Sequence, residues 1–563
     1  MKTMPFIQPN DSSGYMALNF SPRFWLLVVI TGIGAGLGAS LLMALLAVVQ
    51  HWSYSYSSGD FQHAAELVSP WRHIWIMAAA GMLATVVIWL LKHYWPGKDS
   101  DISNAIWFRS GYLPFIRTGI QAALSMTIVG MGASLGREGA PKQVGAAVAS
   151  VLSRWTKLEP AERRFLVACG AGAGMGAVYN VPLGGALFAL EVLLGTMALP
   201  LIIPAITASF VATAVSWLTL PNHATYLVPH YTFMAGQLVW ALAFGPLAGI
   251  VSVLFVRLVI WADGHKPQRG WTMMAPLLMF TLLGCVAIAF PQLLGNGKDV
   301  TELTFTNKLG LPLLLVLIFL KPLATSGCLG SGAPGGLFTP SITIGAVFGG
   351  FFGHLWSLLW PGATPGSYAV IGAGAVLAAT TQAPVSSVVL LLELTHHTLG
   401  IFVPILLAVA GAAITARLLD RRSLYCGPVD IIRPAIKRLP DNLEISYQGR
   451  IRSNIEVISI STNYRTIIER FLDSNHAPKI LYVVDEKGVF VGRILMPDVI
   501  ACRPLARVLD IGAAADVVTP VRCLLPELMQ DQVQRQLDCE PTGELPVLDA
   551  PGGHLCGVVR RNV

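Results

Sequence analysis

Charge is nearly absent from the first three-quarters of the chain. Residues 1–430 carry 22 Lys and Arg and 15 Asp and Glu, about 9% of positions, while residues 431–563 carry 16 of each sign, about 24%. Soluble domains average about 25% charged residues. The tail therefore has a composition that water can solvate, and the body does not. With 54% of the chain hydrophobic, the body needs hydrocarbon as its main surroundings. A polytopic membrane domain with a soluble C-terminal appendage is expected. The whole formal charge of +7 lies in the body. It sits in short connections, such as that of Arg154, Lys157, Arg163 and Arg164, rather than in a basic stripe on a soluble face. No nucleic-acid partner is expected on that pattern.

Long apolar stretches run over 24–49, 73–91, 199–218, 235–260, 271–290, 311–325 and 401–418. Others, at 143–153, 164–178, 183–198, 368–381 and 384–395, fall short of the roughly 20 residues that span a bilayer. Many are broken by the 55 glycines and 36 prolines of the chain. Such segments are expected where helices enter the membrane and stop, with their ends facing a buried aqueous site. Glycine that merely permits close helix packing is the alternative.

The body repeats itself. Gly170-Ala171-Gly172-Ala173 recurs as Gly372-Ala373-Gly374-Ala375. With the same offset of 202, Ala177 meets Ala379, Pro182 meets Pro384 and Glu191 meets Glu393. Two glycine-rich signals, at 136–139 and 335–340, fall in corresponding neighbourhoods. Repeated halves with interrupted helices are a transporter signature, and the substrate site is expected where the halves meet. The pattern leaves open whether the halves run parallel or antiparallel.

Arg417, Arg421 and Arg422 close the last apolar segment and argue for a cytoplasmic exit. The tail beyond them reads as a strand at 455–460, a helix at 463–473, strands at 480–484 and 490–495, and a helix start near Pro497 and Asp498. A weaker copy follows, with a strand at 515–518, a helix around 526–537, and strands at 545–548 and 555–559. Two β-α-β-β units in tandem make a small α/β domain.

The sharpest motif is Gly136-Arg137-Glu138-Gly139. An acid inside an apolar region is expensive and marks a functional site by default. Glu138 sits among glycines at a helix start, where free N–H groups and the positive end of the helix dipole would meet it. A small anion fits the same place, so carboxylate and anion could compete for it. An acid paired with Arg137, or one that caps a helix, is the alternative. The second motif, Gly335-Gly336-Leu337-Phe338-Thr339-Pro340, lets backbone approach a ligand closely and leaves amides free ahead of a helix. It lacks the Gly-Lys-Ser/Thr ending of a nucleotide-binding loop.

These motifs carry a resemblance. Residues 23–430 resemble the CLC family of chloride channels and chloride/proton exchangers. Gly136-Arg137-Glu138-Gly139 matches the gating-glutamate motif, and the segment at 335–340 matches the second anion-binding helix start. Residues 180–191 match a third segment, and Ser423-Leu424-Tyr425 is similar to the pore-tyrosine motif. The resemblance implies an all-α polytopic membrane fold of two inverted repeats, a homodimer in the lipid bilayer, and one anion pathway in each subunit. It implies Glu138 as the gate, with Gly136, Arg137, Gly139, Gly336, Leu337, Phe338 and Tyr425 around chloride. Chloride is then the substrate, and no cofactor or enzymatic activity is implied.

The chain also departs from the family. The stretch 96–102 does not match the first Gly-Ser-Gly-x-Pro motif that supplies a pore serine; Ser100 or a shifted register would have to serve. Ala140 displaces the expected proline to Pro141. Val192 stands where exchangers often carry a proton-handling glutamate, as in the family's channels. A gated passive chloride channel is therefore expected, with a chloride/proton exchanger as the alternative and Glu191 as the candidate for its proton route.

The tail resembles a pair of CBS modules, for which an adenine nucleotide is the implied ligand. Asp498 keeps the ribose-contacting position, but Leu495 replaces the hydroxyl residue, and Asp498 as a plain helix cap is the competing reading. A membrane-anchored nucleotide sensor is thus a further alternative. The expected division is a cytosolic segment at 1–22, a membrane domain at 23–420, a linker at 421–450 and the tandem tail at 451–563. Both termini are expected in the cytoplasm, with the body in the cell membrane. The first 22 residues show no removable signal peptide. Eight scattered cysteines read as reduced thiols. His396 and His397 lack metal-ligand spacing, so no metal is expected. No nucleophile–base constellation occurs.

Overall fold

The structure, a computed structural model, describes residues 20–56, 61–95, 100–267, 273–396, 398–420, 422–425, 451–452, 455–472, 478–501, 512–521, 523–525, 533, 536–537, 540, 542 and 544–560. The first half of the body comprises α1 (Pro22–Tyr54), α2 (Phe61–Leu67), α3 (Pro70–Tyr94), α4 (Ile102–Phe108), α5 (Phe115–Gly130), α6 (Gly139–Trp155), α7 (Pro160–Tyr179), α8 (Pro182–Leu187) and α9 (Leu199–Ser216). The second half comprises α10 (Ala235–Gly264), α11 (Ala275–Ala287), α12 (Lys298–Phe305), α13 (Leu311–Gly330), α14 (Phe338–Leu359), α15 (Pro365–Thr381), α16 (Pro384–Thr395) and α17 (Phe402–Leu419). Proline opens α1, α3, α7, α8, α15 and α16, where its missing N–H costs no helical hydrogen bond.

Seven helical segments among the described residues are long and apolar enough to cross a membrane: α1, α3, α9, α10, α13, α14 and Leu399–Leu419. Their outward faces expose Leu41, Trp75, Leu254, Phe319 and Val403 among others, a surface that lipid solvates and water does not. The protein is a multi-pass membrane protein. One expectation needs correction. The described part of the stretch 271–290 holds the 13-residue α11, because Pro291 forces Phe290 out of the helical region and opens a short 3-10 turn. The helix start expected at 335–340 is present: α14 opens at Phe338 and runs for 22 residues.

The repeat is visible as matched packing. α1 packs on α9 and α6 on α7 in one half; α10 packs on α17 and α14 on α15 in the other. At the crossing of α6 and α7 a β-carbon on Gly145 would overlap the Gly170 carbonyl; at that of α14 and α15 one on Gly345 would overlap the Gly372 carbonyl. Close backbone contact, not only access to a ligand, thus explains part of the glycine content. α7 and α15 both end in a left-handed residue, Asn180 and Gln382, again 202 apart. The halves are also fastened reciprocally. Glu191 accepts from the N-terminus of α16, and Glu393 accepts from the N-terminus of α8. A contact in which each half does to the other what is done to it has two-fold symmetry, as inverted repeats require.

The tail forms two three-stranded sheets. In the first, β2 (Val457–Ser459) runs parallel to β3 (Ile480–Val484), and β3 runs antiparallel to β4 (Phe490–Leu495), with Val457 opposite Tyr482 and Tyr482 opposite Arg493. Helices α18 (Tyr464–Leu472) and α19 (Met496–Ala501) accompany it. In the second, β6 (Leu555–Arg560) lies between β1 (Ile451–Arg452) and β5 (Glu544–Leu548), both antiparallel to it. The strand expected at 515–518 is absent: residues Ala514–Asp516 form a 3-10 turn. Asp516 there accepts from the Ala513 N–H at 2.9 Å, a local bond that competes with a ladder, and alanine favours strands little. Of the expected helix at 526–537, only 533, 536 and 537 are described, and of the linker at 421–450 only 422–425.

Candidate functional site

The loops ahead of α6 and α14 are tied together by two backbone bonds. The Gly136 N–H donates to the Gly336 carbonyl at 2.7 Å, and the Gly336 N–H donates to the Gly136 carbonyl at 2.9 Å. Gly139, the first residue of α6, lies against Gly335 and Gly336. This small antiparallel bridge joins the two halves and brings both helix starts to one place. A β-carbon at Gly136 or Gly336 would overlap the Glu138 carboxylate, so glycine at both positions admits the acid to the junction.

Glu138 is completely buried. Its Oε1 accepts from the Phe338 N–H at 2.6 Å, and its Oε2 lies 3.2 Å from the hydroxyls of Tyr179 and Thr339, one of which donates to it while the other donates to its neighbour. The two hydroxyls are 2.5 Å apart. Phe338 opens α14, so the carboxylate rests on free amides at the positive end of a 22-residue helix, where an anion is most at home. A small anion is a chemically equivalent acceptor for a bond of this kind.

Arg137 does not serve as the acid's partner among the described residues. Its guanidinium lies over the Tyr179 ring, 4.9 Å from the centroid. With Lys298, His223, Asn180 and Met43 it lines a cavity that opens beside Tyr179. Leu337 caps α14, and its backbone interacts with the Tyr425 hydroxyl. Tyr425, beyond α17, meets the ring of Phe188 edge-on at 5.3 Å. The structure thus brings Gly136, Glu138, Gly139, Gly336, Leu337, Phe338 and Tyr425 together, and sets Arg137 beside them in the cavity.

Three further residues belong to this site and were not singled out by sequence. Tyr179 and Thr339 lie within or next to the recognised motifs, but no spacing rule says that their hydroxyls reach Glu138. Lys142 follows Glu138 by one turn of α6; its Nζ donates to the Tyr425 hydroxyl at 3.2 Å. A lysine in an apolar, glycine-rich segment is itself the signal that would have found it.

The other candidates make different contacts. Glu191 lies on a π-helical turn, Phe188–Leu194, that continues α8, and its carboxylate is engaged by α16. Val192 is buried in the core. Residues 96–99 lie outside the described residues; Ser100 is buried, and Asp101 caps α4 by accepting from the Asn104 N–H at 2.7 Å. Asp498 accepts from the Leu495 N–H at 3.1 Å, a capping contact at the start of α19. His396 ends α16 in a left-handed conformation, and His397 lies outside the described residues. Among the described residues no three metal-ligating side chains cluster.

Broken helices in two inverted halves, with an acid and helix amides converging between them, define an ion-transport protein. Residues 83–417 match the model of the voltage gated chloride channel family, and the chain belongs to that family, the CLC proteins. A ClcB-like chloride channel protein of Ralstonia nicotianae is 31% identical over 425 residues, covering 73% of this chain and 97% of its own. Among solved structures, a slow cyanobacterial Cl−/H+ antiporter is similar over 72% of this chain and 97% of its own, with a TM-score of 0.63 and 22% identity. A eukaryotic CLC transporter is similar over 96% of this chain and 97% of its own, with a TM-score of 0.57 and 18% identity; at that coverage the likeness of fold includes the tail.

Proposed function

We propose that the protein conducts chloride across the cell membrane along one pathway in each subunit of a homodimer, with Glu138 as the gate. The observation that carries this reading is the 2.6 Å bond from the Phe338 N–H to the Glu138 carboxylate. The acid occupies an anion seat at a helix N-terminus, so anion and carboxylate exclude each other, and a protonated Glu138 accepts more weakly and yields the seat. The basic cavity beside Tyr179 is the approach on one side, and Tyr425 lines the other. Chloride efflux from proteoliposomes holding the purified protein tests the reading; a well-folded protein that moves no chloride would remove it.

Within that activity the passive channel is the preferred mode. Its support is the apolar Val192 and the engagement of Glu191 with α16, which leave no carboxylate at the position exchangers use. A chloride/proton exchanger is the second reading, favoured by the likeness to a Cl−/H+ antiporter. Reversal potentials under combined chloride and pH gradients separate them. The two sheets of the tail support a tandem CBS-like module at 451–563 joined by a linker at 421–450 to the transport unit at 23–420. The basic end of α17 supports cytoplasmic termini. Asp498 already caps α19, so adenine nucleotide is the weakest of the implied ligands; calorimetry with ATP and AMP tests it.

A further inference from the structure

Two lysines are deeply buried in the body, and they are held differently. Lys321, on α13, is fully buried, and its Nζ donates to the carbonyls of Leu293 and Gly295 at 3.1 and 3.2 Å. Lys142, on α6, is 4% exposed. Among the described residues its Nζ meets one hydrogen-bond acceptor, the Tyr425 hydroxyl at 3.2 Å. Its other neighbours are the faces of two rings, Tyr425 at 4.3 Å and Phe188 at 4.8 Å from the centroids. An ammonium has three donors, so two remain for something else. Glu138, one helical turn earlier, and Asp101 act on it through their fields; among the described residues no carboxylate forms an ion pair with it. A buried ammonium without a bonded counter-ion is costly. Lys321 is a structural clamp, whereas Lys142 is a charge waiting for a partner.

The place of that charge identifies the partner. The Tyr425 hydroxyl accepts from Lys142 and so keeps its own proton to donate elsewhere. Its other neighbour is the Leu337 backbone at the cap of α14. Ammonium, phenol and helix amide therefore meet at one point, next along α14 from the amide that Glu138 occupies. Among the described residues an ammonium, a phenol proton and a backbone amide gather there. The stretch 96–102, which carries Ser100, does not match the family's serine motif.

We propose that Lys142 is a direct ligand of the permeating halide at this inner position, a fixed cation beside the Tyr425 hydroxyl, and that it sets how tightly the anion is held. The inference rests on the chloride-transport reading and assigns one more ligand within it. A full charge holds a halide more firmly than a hydroxyl does, so binding is tight and release slow.

The test uses the purified full-length protein. Calorimetric chloride titration should show affinity falling by at least roughly tenfold in Lys142→Met and Lys142→Gln, with Lys142→Arg staying within about threefold of wild type. Size-exclusion and thermal unfolding check that each variant is folded. A folded Lys142→Met that binds chloride as wild type does would overturn the assignment and leave Glu138-gated flux standing; a wild type with neither binding nor flux would instead remove the function. If the neutral variants do not fold, anomalous diffraction from bromide-soaked wild-type crystals decides. A bromide peak within hydrogen-bonding reach of the Lys142 ammonium is expected, and bromide found only away from it would overturn the proposal.

Discussion

Glu191 and Glu393 hold each other's halves of the protein by the same bonds. Glu191 accepts from the Val385 N–H at 3.2 Å and the Ser386 N–H at 2.6 Å; Glu393 accepts from the Leu183 N–H at 3.1 Å and the Gly184 N–H at 2.6 Å. All four amides follow a helix-opening proline, Pro384 or Pro182. Each acid therefore caps the helix start of the opposite repeat, a structural use of charge that the dipole rewards. Ser386 adds its hydroxyl to Glu191 at 2.6 Å.

This arrangement predicts the coupling behaviour. A carboxylate engaged by two amides and a hydroxyl is a poor proton carrier, so chloride should run to its own Nernst potential whatever the pH gradient. Glu191→Gln should leave that potential in place, because the amide oxygen still accepts. Glu191→Ala should lower the melting temperature in detergent, with a loss of about 2–4 kcal/mol for charge-assisted bonds of this kind. A pH-driven shift of the reversal potential that Glu191→Gln abolished would establish an exchanger that uses Glu191.

Glu138→Gln and Glu138→Ala should each conduct chloride without the pH dependence of wild type. The neutral amide copies the protonated acid, and alanine vacates the seat on the Phe338 N–H altogether. Stopped-flow or electrode-monitored chloride efflux at a series of acidic to neutral pH values checks this. Wild-type pH dependence persisting in Glu138→Ala would move the gate elsewhere.

The hydroxyls that hold Oε2 should favour the closed gate. Tyr179→Phe combined with Thr339→Val removes both hydroxyls with little change in volume. One of their two protons joins the pair and the other bonds the carboxylate, so one hydrogen bond to a charged group is lost, about 1.5–3 kcal/mol, and chloride flux at neutral pH should rise roughly tenfold or more. Equal flux before and after would show that the Phe338 amide alone fixes the acid.

What the sequence disclosed depends on how local the cause was. The glycine-flanked Glu138, the 202-residue offset and the proline-opened helices are written in short stretches, and the structure puts each to use. Lys142 went unremarked because a single lysine inside a helix has no spacing partner; its meaning comes from Tyr425, 283 residues away. Tyr179 and Thr339 lie close to or within the motifs, yet only folding shows that their hydroxyls turn toward one carboxylate. The turn at Ala514–Asp516, where the sequence pattern predicts a strand, has a local cause in the Asp516 bond to the Ala513 N–H and a tertiary one that no short stretch discloses. Asp516 is spent on Arg164, a residue 352 positions earlier.

That pair yields the last prediction. Arg164 of α7 and Asp516 of the tail form an ion pair with both side chains almost fully buried, at 0% and 1% exposure. One guanidinium nitrogen donates to Asp516 Oδ1 at 2.8 Å, Nε donates to the Ile106 carbonyl of α4 at 2.8 Å, and another bond reaches the Ser110 hydroxyl at 3.3 Å. The tail is thus latched onto α7, at a residue that also bonds the Ile106 carbonyl of α4. Asp516→Ala leaves the tail covering a guanidinium that has lost its counter-charge, which costs about 3–5 kcal/mol. Deleting residues 451–563 removes the cover together with the partner, so water can solvate Arg164, and the motifs proposed to line the anion pathway all lie before the cut. The single substitution should therefore harm thermal stability more than loss of the entire tail, and Arg164→Met should rescue Asp516→Ala in a double-mutant cycle. Melting curves and chloride efflux of the four proteins check the ordering. A tail deletion that destabilises more than Asp516→Ala, or a double mutant no better than the single, would show that the latch acts through contacts other than this pair.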